Sequence, residues 1–421
     1  MRRYIGVFLA GVPGLVGAAA CGQGRVASDG DNLDAPSGAD GGAAGPWQHG
    51  STVVLSGSGF GTRPSFGRNG ALVRAWDGCE SDDPQAVWDE FGPQNDGAAP
   101  EYSLRCRTPA QVTAQKASGA APEVAHTHAS RYLTGAAFAS TAYGADSFVT
   151  AYNTDVSPYL YASFYYRADP DWYQEASTDG NHKMYTYSAG NSPYAQAGYY
   201  YFELHEFADP LGPITVGTNY FTAPQLFSPC AAPQGDVRCV DPDLVNWYTQ
   251  GCGGNGYNDP CGSFWTKYAH PRHPRRDWVK LEYVLKHGSS GDGVHDVYID
   301  NVHTWHVELD DDALSPPPPR SETLGGYRRD YGTTDAYKNN WSYFSDVYLD
   351  LTWARVVVAD SATYASATIV EPQRPLSWSD GQIEIRVNLG KLASGQTAWV
   401  YVFDASGAPV GGATLTSFVV P

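Results

Sequence analysis

The sequence predicts an all-β protein, on three observations. Apolar residues seldom recur at the three-to-four-residue spacing of an amphipathic helix, whereas short stretches of alternating character recur along the chain. Gly, Pro, Asn and Asp cluster between those stretches, as turns require. Tyrosine and tryptophan are abundant, at 29 and 12 residues, and such side chains fit a pleated, half-buried surface. At 421 residues the chain exceeds the ~250–300 residues at which single cores stop growing, so one large domain with a smaller companion is expected.

The chain opens on MRRYIGVFLAGVPGLVGAAAC, in which Arg2 and Arg3 precede an apolar run from Ile5 to Val16 and a stretch of small residues. This is secretory signal architecture and assigns residues 1–20 to a leader. Its loss removes two positive charges from a formal net charge of −18, and so acidic a surface repels nucleic acid. No later run approaches the ~18 apolar residues of a membrane-spanning helix. The junction Ala18-Ala19-Ala20-Cys21 resembles the bacterial lipobox, although Ala18 stands where that family prefers leucine. The resemblance implies lipidation of Cys21 and an exported protein anchored to the outer membrane or cell surface. An ordinary leader followed by a chance cysteine is the alternative.

Residues 21–46 are rich in Gly, Ala, Ser and Asp and poor in large apolar side chains. They cannot offset the entropy of ordering and read as a flexible tether. Asp29, Asp31 and Asp34 lack the glutamate that closes a calcium loop. No cofactor is predicted, and structural calcium has no support. Setting Cys21 aside leaves six of the seven cysteines. Near-neighbour pairing in an oxidising compartment predicts the disulfides Cys79–Cys106, Cys230–Cys239 and Cys252–Cys261. No C-x-x-C pair occurs, so metal-finger spacing is missing and no metal site is predicted.

Residues 47–67 offer a strand and a glycine-rich turn, with Gly50, Val53, Leu55, Gly57 and Phe60 in the order G-x-x-V-x-L-x-G-x-x-F. Near the other end, WSDGQIEIRV, TAWVYVFDASG and SFVV supply further strands. Together they resemble the two halves of an immunoglobulin-like module of the TIG/IPT type. That resemblance implies a small split sandwich, 47–67 with 368–421, around an inserted domain at 68–367. The alternative makes the first strand part of the larger domain.

In the middle, YLYASFYYRAD, NHKMYTYSAG, YYYFELHEF and the hairpin RDWVKLEYVLKHGSSGDGVHDVYIDNVHTW resemble the concanavalin A-like lectin/glucanase superfamily, which includes polysaccharide lyases. The resemblance covers most of residues 125–360 and implies an antiparallel jelly-roll sandwich with a saccharide on its concave face. FSDVYLDLTWARVVVADS is expected to add one more strand to it.

Side chains alternate between strand faces. In YYYFELH, Tyr200, Phe202 and Leu204 form an apolar row opposite Tyr199, Tyr201, Glu203 and His205. Likewise Tyr159, Tyr161, Ser163, Tyr165 and Arg167 oppose Leu160, Ala162, Phe164 and Tyr166, and Lys183, Tyr185 and Tyr187 oppose His182, Met184 and Thr186. Pooling the richer rows predicts an open face that binds polysaccharide through Arg167, Lys183, Tyr161, Tyr165, Tyr199 and Glu203. Tyrosine offers a stacking ring and a directional hydroxyl to a sugar, and the two cations suit an anionic one. Solvent-facing antiparallel strands also favour Tyr and Thr with no ligand at all.

Glycoside hydrolysis needs two carboxyl groups across the scissile bond. The E-x-D-x-x-E strand of glucanases in this fold is missing, and Glu203 and Glu206 alternate in face. A polyuronate lyase needs a base, an acid and a carboxylate neutraliser. His205 with Tyr201 or Tyr185 could supply the first two and Arg167 or Lys183 the third, yet the R-T-E-L-R and Q-I-H strands of alginate lyases are absent. The expectation is polysaccharide recognition, with lyase activity second and a structural or adhesive envelope role third. A basic loop at 267–278, with His270, Arg272, His273, Arg275 and Arg276, could gather anionic glycan or pair with nearby acids.

Overall fold

The computed structural model describes residues 43–44, 46–65, 72–73, 75–77, 79, 91–95, 104–136, 147–153, 157–170, 181–188, 199–205, 214–219, 247–250, 263–268, 277–286, 293–309, 320–329, 341–412 and 416–421. Their regular structure is nearly all strand, and every strand pairing among them is antiparallel. The leader, most of the tether, Cys21, Cys230, Cys239, Cys252, Cys261 and the basic residues at 270–276 lie outside the described residues.

Strands are numbered in chain order. The terminal sheet contains β1 (Ala43–Ala44), β2 (Thr52–Ser56), β19 (Arg355–Ala359), β20 (Val370–Ser379), β21 (Gln382–Arg386), β22 (Thr397–Phe403) and β23 (Thr416–Val419), in the order β1-β2-β21-β20-β19-β22-β23. The middle sheet runs β16 (Val302–Leu309), β15 (Gly293–Ile299), β14 (Val279–Lys286), β8 (Tyr159–Ala168), β18 (Trp341–Asp350), β6 (Tyr132–Ala136), β5 (Arg105–Arg107), with β3 (Ala75–Asp77) also on β18. The distal sheet runs β12 (Trp247–Gln250), β13 (Ser263–Tyr268), β11 (Ile214–Asn219), β10 (Tyr199–His205), β9 (Asn181–Ser188), β17 (Arg320–Arg329), β7 (Ser147–Asn153), β4 (Phe91–Asn95). Middle and distal sheets stack as a jelly-roll sandwich, with Phe164 of β8 against Tyr185 of β9 at a ring separation of 5.6 Å.

The terminal sheet closes on a core of its own. Alternation in TVVLS and QIEIR sends Val53, Leu55, Ile383 and Ile385 inward, where Val356, Val358, Val400 and Val402 meet them. β2 pairs with β21, Val53 opposite Ile385 and Leu55 opposite Ile383. The turn after β2 needs glycine, because a Cβ on Gly57 would lie 2.6 Å from Cζ of Phe60, which is buried in that core. One expected boundary changes: Arg355–Ala359 pairs with β20 and β22, so it belongs to this sheet and not to the larger sandwich. Deleting residues 368–421 should therefore expose Val53 and Leu55 and abolish amide protection in β2, measured by hydrogen exchange. Protection that survives the deletion would contradict the pairing.

The middle sheet is covered on both faces. In β8, Leu160, Ala162, Phe164 and Tyr166 are buried, and so are Tyr161, Ser163 and Tyr165 on the alternate row. That second row meets the terminal unit: the Tyr165 hydroxyl donates to Glu371 of β20 (2.6 Å), and the Arg355 guanidinium lies over the rings of both Tyr161 (4.5 Å) and Phe403 (4.4 Å). Arg63 joins the units from the other chain segment through Asp350 and the Ala354 carbonyl (3.0 Å).

The short helix α1 (Pro109–Gln115) starts from a capping box between Thr108 and Gln111. Lys116, just after it, places its ammonium 2.7 Å from both oxygens of Asp169. Cys79 and Cys106 form a disulfide with Cα atoms 5.5 Å apart.

Candidate functional site

The distal sheet carries the residues that pointed to a ligand. For Lys183, Tyr199, Tyr201, Glu203 and His205 the backbone register is described and the side chains lie outside the described part of the structure. One row of register partners runs Thr266, Val216, Phe202, Tyr185, Leu324, Val149 across six strands. Tyr185 and Leu324 are fully buried, so this row faces the middle sheet, and Tyr185 also meets Tyr283 of β14 at 5.7 Å.

Because the pleat alternates, the two neighbouring rows fall on the other face. The first is Trp265, Gly217, Tyr201, Thr186, Thr323, Thr150. The second is Lys267, Thr215, Glu203, Lys183, Tyr327. One register step further, His205 pairs with Asn181 and Asn181 with Arg329. The face therefore gathers aromatic, hydroxyl, carboxylate and cationic residues, the inventory that polyhydroxylated ligands engage.

A bulge revises the expected grouping. Tyr185 pairs with Phe202 but Lys183 pairs with Glu203, so Met184 is the extra residue and alternation breaks between Lys183 and Tyr185. Lys183 thus keeps company with Glu203, while Tyr185, expected on the open face, is buried between the sheets. The same irregularity appears on β17 between Leu324 and Tyr327, where Gly325 and Gly326 intervene.

Tyr161, Tyr165 and Arg167 lie elsewhere. They belong to β8 in the middle sheet, on the side away from the distal one. Tyr161 is fully buried and its hydroxyl donates to Glu282 at 2.5 Å. Burial first, and then the Glu282 carboxylate, hold its phenol well above the ordinary range; burial and Glu371 do the same for Tyr165. Arg167 is half-buried, and burial lowers its pKa against the opposing pull of Asp277, Tyr343 and Asp169. The pooled face of the sequence reading thus divides between two sheets.

Sequence reasoning missed Trp265 on β13 and Tyr327 and Arg329 on β17, and it gave Lys267 to a basic loop where the structure has it in β13. The Gly325-Gly326 pair hides alternation in RSETLGGYRR, and SFWTKY is short enough to pass unnoticed beside the basic loop. Among the described residues, no group of three or more His, Cys, Asp or Glu could hold a metal ion. No described helix is long and apolar enough to cross a membrane.

No family model matches the sequence, and neither does any curated protein. Among solved structures, the chain is similar to alginate lyase Aly36B in complex with alginate trisaccharide, at 10% identity over 69% of this chain and 99% of that one, with a TM-score of 0.36. It is also similar to porphyranase B from Zobellia galactanivorans, at 9% identity over 68% and 98%, TM-score 0.34. A third is the carbohydrate recognition domain of Emp46p, at 11% identity over 66% and 98%, TM-score 0.33. These likenesses concern the general course of the chain and transfer no residue role.

Proposed function

We propose that this chain recognises an extracellular polysaccharide on the outer face of the distal sheet. The observation that carries the reading is the register itself, which alternates the apolar row through Phe202, Tyr185 and Leu324 with rows bearing Tyr201, Trp265, Glu203, Lys183, Lys267 and Tyr327. Aromatic and hydroxyl positions suit sugar rings, and the two lysines flanking Glu203 in its row favour an anionic glycan. The leader and Cys21 support an exported, lipid-anchored protein as part of the same proposal.

Polyuronate lyase activity is the second reading, favoured by the adjacency of His205, Asn181 and Arg329. An imidazole can take the proton beside a uronate carboxylate, and an amide with a guanidinium can neutralise that carboxylate.

A glycan array separates recognition from scaffolding. Wild type should retain one or more anionic polysaccharides, and Glu203→Gln should lose at least tenfold in affinity with its melting temperature unchanged. Lys183→Ala should weaken anionic glycans more than neutral ones. A wild-type protein that retains no glycan would sink the proposal. Ultraviolet absorbance from unsaturated products on polyuronates, lost in His205→Ala, would convert recognition into lyase action.

A further inference from the structure

Three histidines meet where the terminal unit docks on the middle sheet. His49 precedes β2 in the terminal unit, and His126 and His128 lie in the segment between α1 and β6. The rings of His49 and His128 stack nearly parallel at 5.4 Å, and His126 stands 6.1 Å from each. Each ring has one committed nitrogen. His126 Nε2 meets Asp346 Oδ2 at 2.6 Å, His128 Nε2 meets the Leu392 carbonyl at 3.2 Å, and His49 Nδ1 accepts the Leu389 N–H at 3.3 Å. One of the three bonds crosses the seam, from His128 to Leu392, while the Leu389–His49 bond lies on its terminal side, where Leu389 and Leu392 belong to the terminal core.

Because Nδ1 of His49 accepts, its neutral ring carries the proton on Nε2. That nitrogen is thereby a poor metal ligand, and the species this cluster is built to take up is a proton. We infer that the three histidines form an acid-sensitive latch, which holds the terminal unit on the middle sheet near neutral pH and loosens when His49 becomes charged.

The electrostatics follow from the geometry. Asp346 sits at φ 51° beside the register irregularity of β18 and is buried. Burial disfavours charge on both Asp346 and His126, but their mutual attraction wins, raising His126 and lowering Asp346. The contact thus favours the charged form of both partners. Glu371 of β20 and Lys391 also face His126, with opposite signs. For His49, burial lowers the pKa to about 4, Asp346 pulls the other way, and His126, His128 and Arg386 of β21 add repulsion.

With the seam open, His49 should titrate near the ordinary value of 6.5. The open form then binds more protons between pH 6.5 and about 4, so closure weakens as pH falls through that window. His126 keeps Asp346 when the seam opens, because both lie on the middle-sheet side, so that pair adds no opposing slope to the latch. Glu371, raised by burial, partly opposes His49 on the acid side. The latch therefore loosens on the acid side, as pH falls through the His49 window.

Hydrogen exchange on the full chain at pH 6.5 and 4.5, corrected for intrinsic rates, tests this. Amides at 387–392 and 121–129 should lose protection about tenfold on acidification, a share of the full linkage reduced by the partial exposure of His49. Amides at 161–166 in β8 should keep theirs. His49→Gln retains an acceptor for Leu389 and should remove most of the acid loss; His128→Gln, which removes the ring stacked on His49, should reduce it. An undiminished acid loss in His49→Gln overturns the inference, as does simultaneous loss at the seam and in β8. If His49→Gln fails to fold, the same criterion applies to His128→Gln.

Discussion

Asp169→Ala is expected to destabilise the sandwich by ~3–5 kcal/mol, because it removes the carboxylate paired with a buried ammonium. Asp169 is fully buried just beyond β8, where it accepts from Lys116 through both oxygens (2.7 Å each) and from the Tyr343 hydroxyl (2.5 Å). Burial and the neighbouring carboxylate raise the Tyr343 pKa, so its proton stays in place and the hydroxyl can only donate in this arrangement. With the carboxylate gone, Lys116 loses both of those charged bonds, and the Ala120 carbonyl at 3.2 Å is a neutral acceptor that does not replace the lost charge. Urea melts of the variant should show the loss with little change in slope. A paired replacement, Lys116→Met with Asp169→Leu, should recover much of it, since an apolar pair avoids two desolvation costs. Wild-type stability in Asp169→Ala would mean that the site is wet.

Gly390→Ala carries the second large effect, about 2–6 kcal/mol from two sources. Gly390 has φ 45°, a region where an L side chain costs ~1–3 kcal/mol. The new methyl would also overlap the Glu371 carboxyl group, and overpacking typically adds ~1–3 kcal/mol. Glu371 cannot easily retreat, because Oε1 accepts from the Tyr165 hydroxyl (2.6 Å) and the Lys391 N–H (2.9 Å). Gly395→Ala is the control: φ is 81° and nothing lies within 4 Å of its Cβ position. Calorimetry should therefore show Gly390→Ala melting well below Gly395→Ala. Equal melting of the two variants would refute the steric part of the argument.

The terminal strands were legible because they alternate in the way one-sided burial requires. TVVLS and QIEIR place Val53, Leu55, Ile383 and Ile385 inside, as their spacing says. β8 misled for the same physical reason in reverse. Its tyrosines look like an open face, yet Tyr161 and Tyr165 are core residues whose hydroxyls are satisfied by carboxylates 121 and 206 residues away. No local pattern announces a partner that distant. Nor does spacing reveal the extra residue at Met184, which moves Lys183 out of the Tyr185 row and beside Glu203. The run RVVVA carries no alternation because Val356 and Val358 face one cluster and Val357 and Ala359 another, so its sheet could not be read in advance.

The pairing of β2 with β21 has a kinetic corollary. Gly61 and Asp380, which hydrogen-bond beside that pairing, are 319 residues apart. Closing so long a loop in an unfolded chain is slow and entropically costly. The jelly roll, whose hairpins β14–β15 and β15–β16 are local, can form first and bring the flanking segments together. Until then β2 waits with its edge unpaired while the rest of the chain is delivered, so the last step of folding is also its most aggregation-exposed one. Refolding should accordingly show a fast phase from the sandwich and a slow phase in which the Trp378 indole reaches the Phe60 carbonyl (3.2 Å), with the slow phase setting the yield.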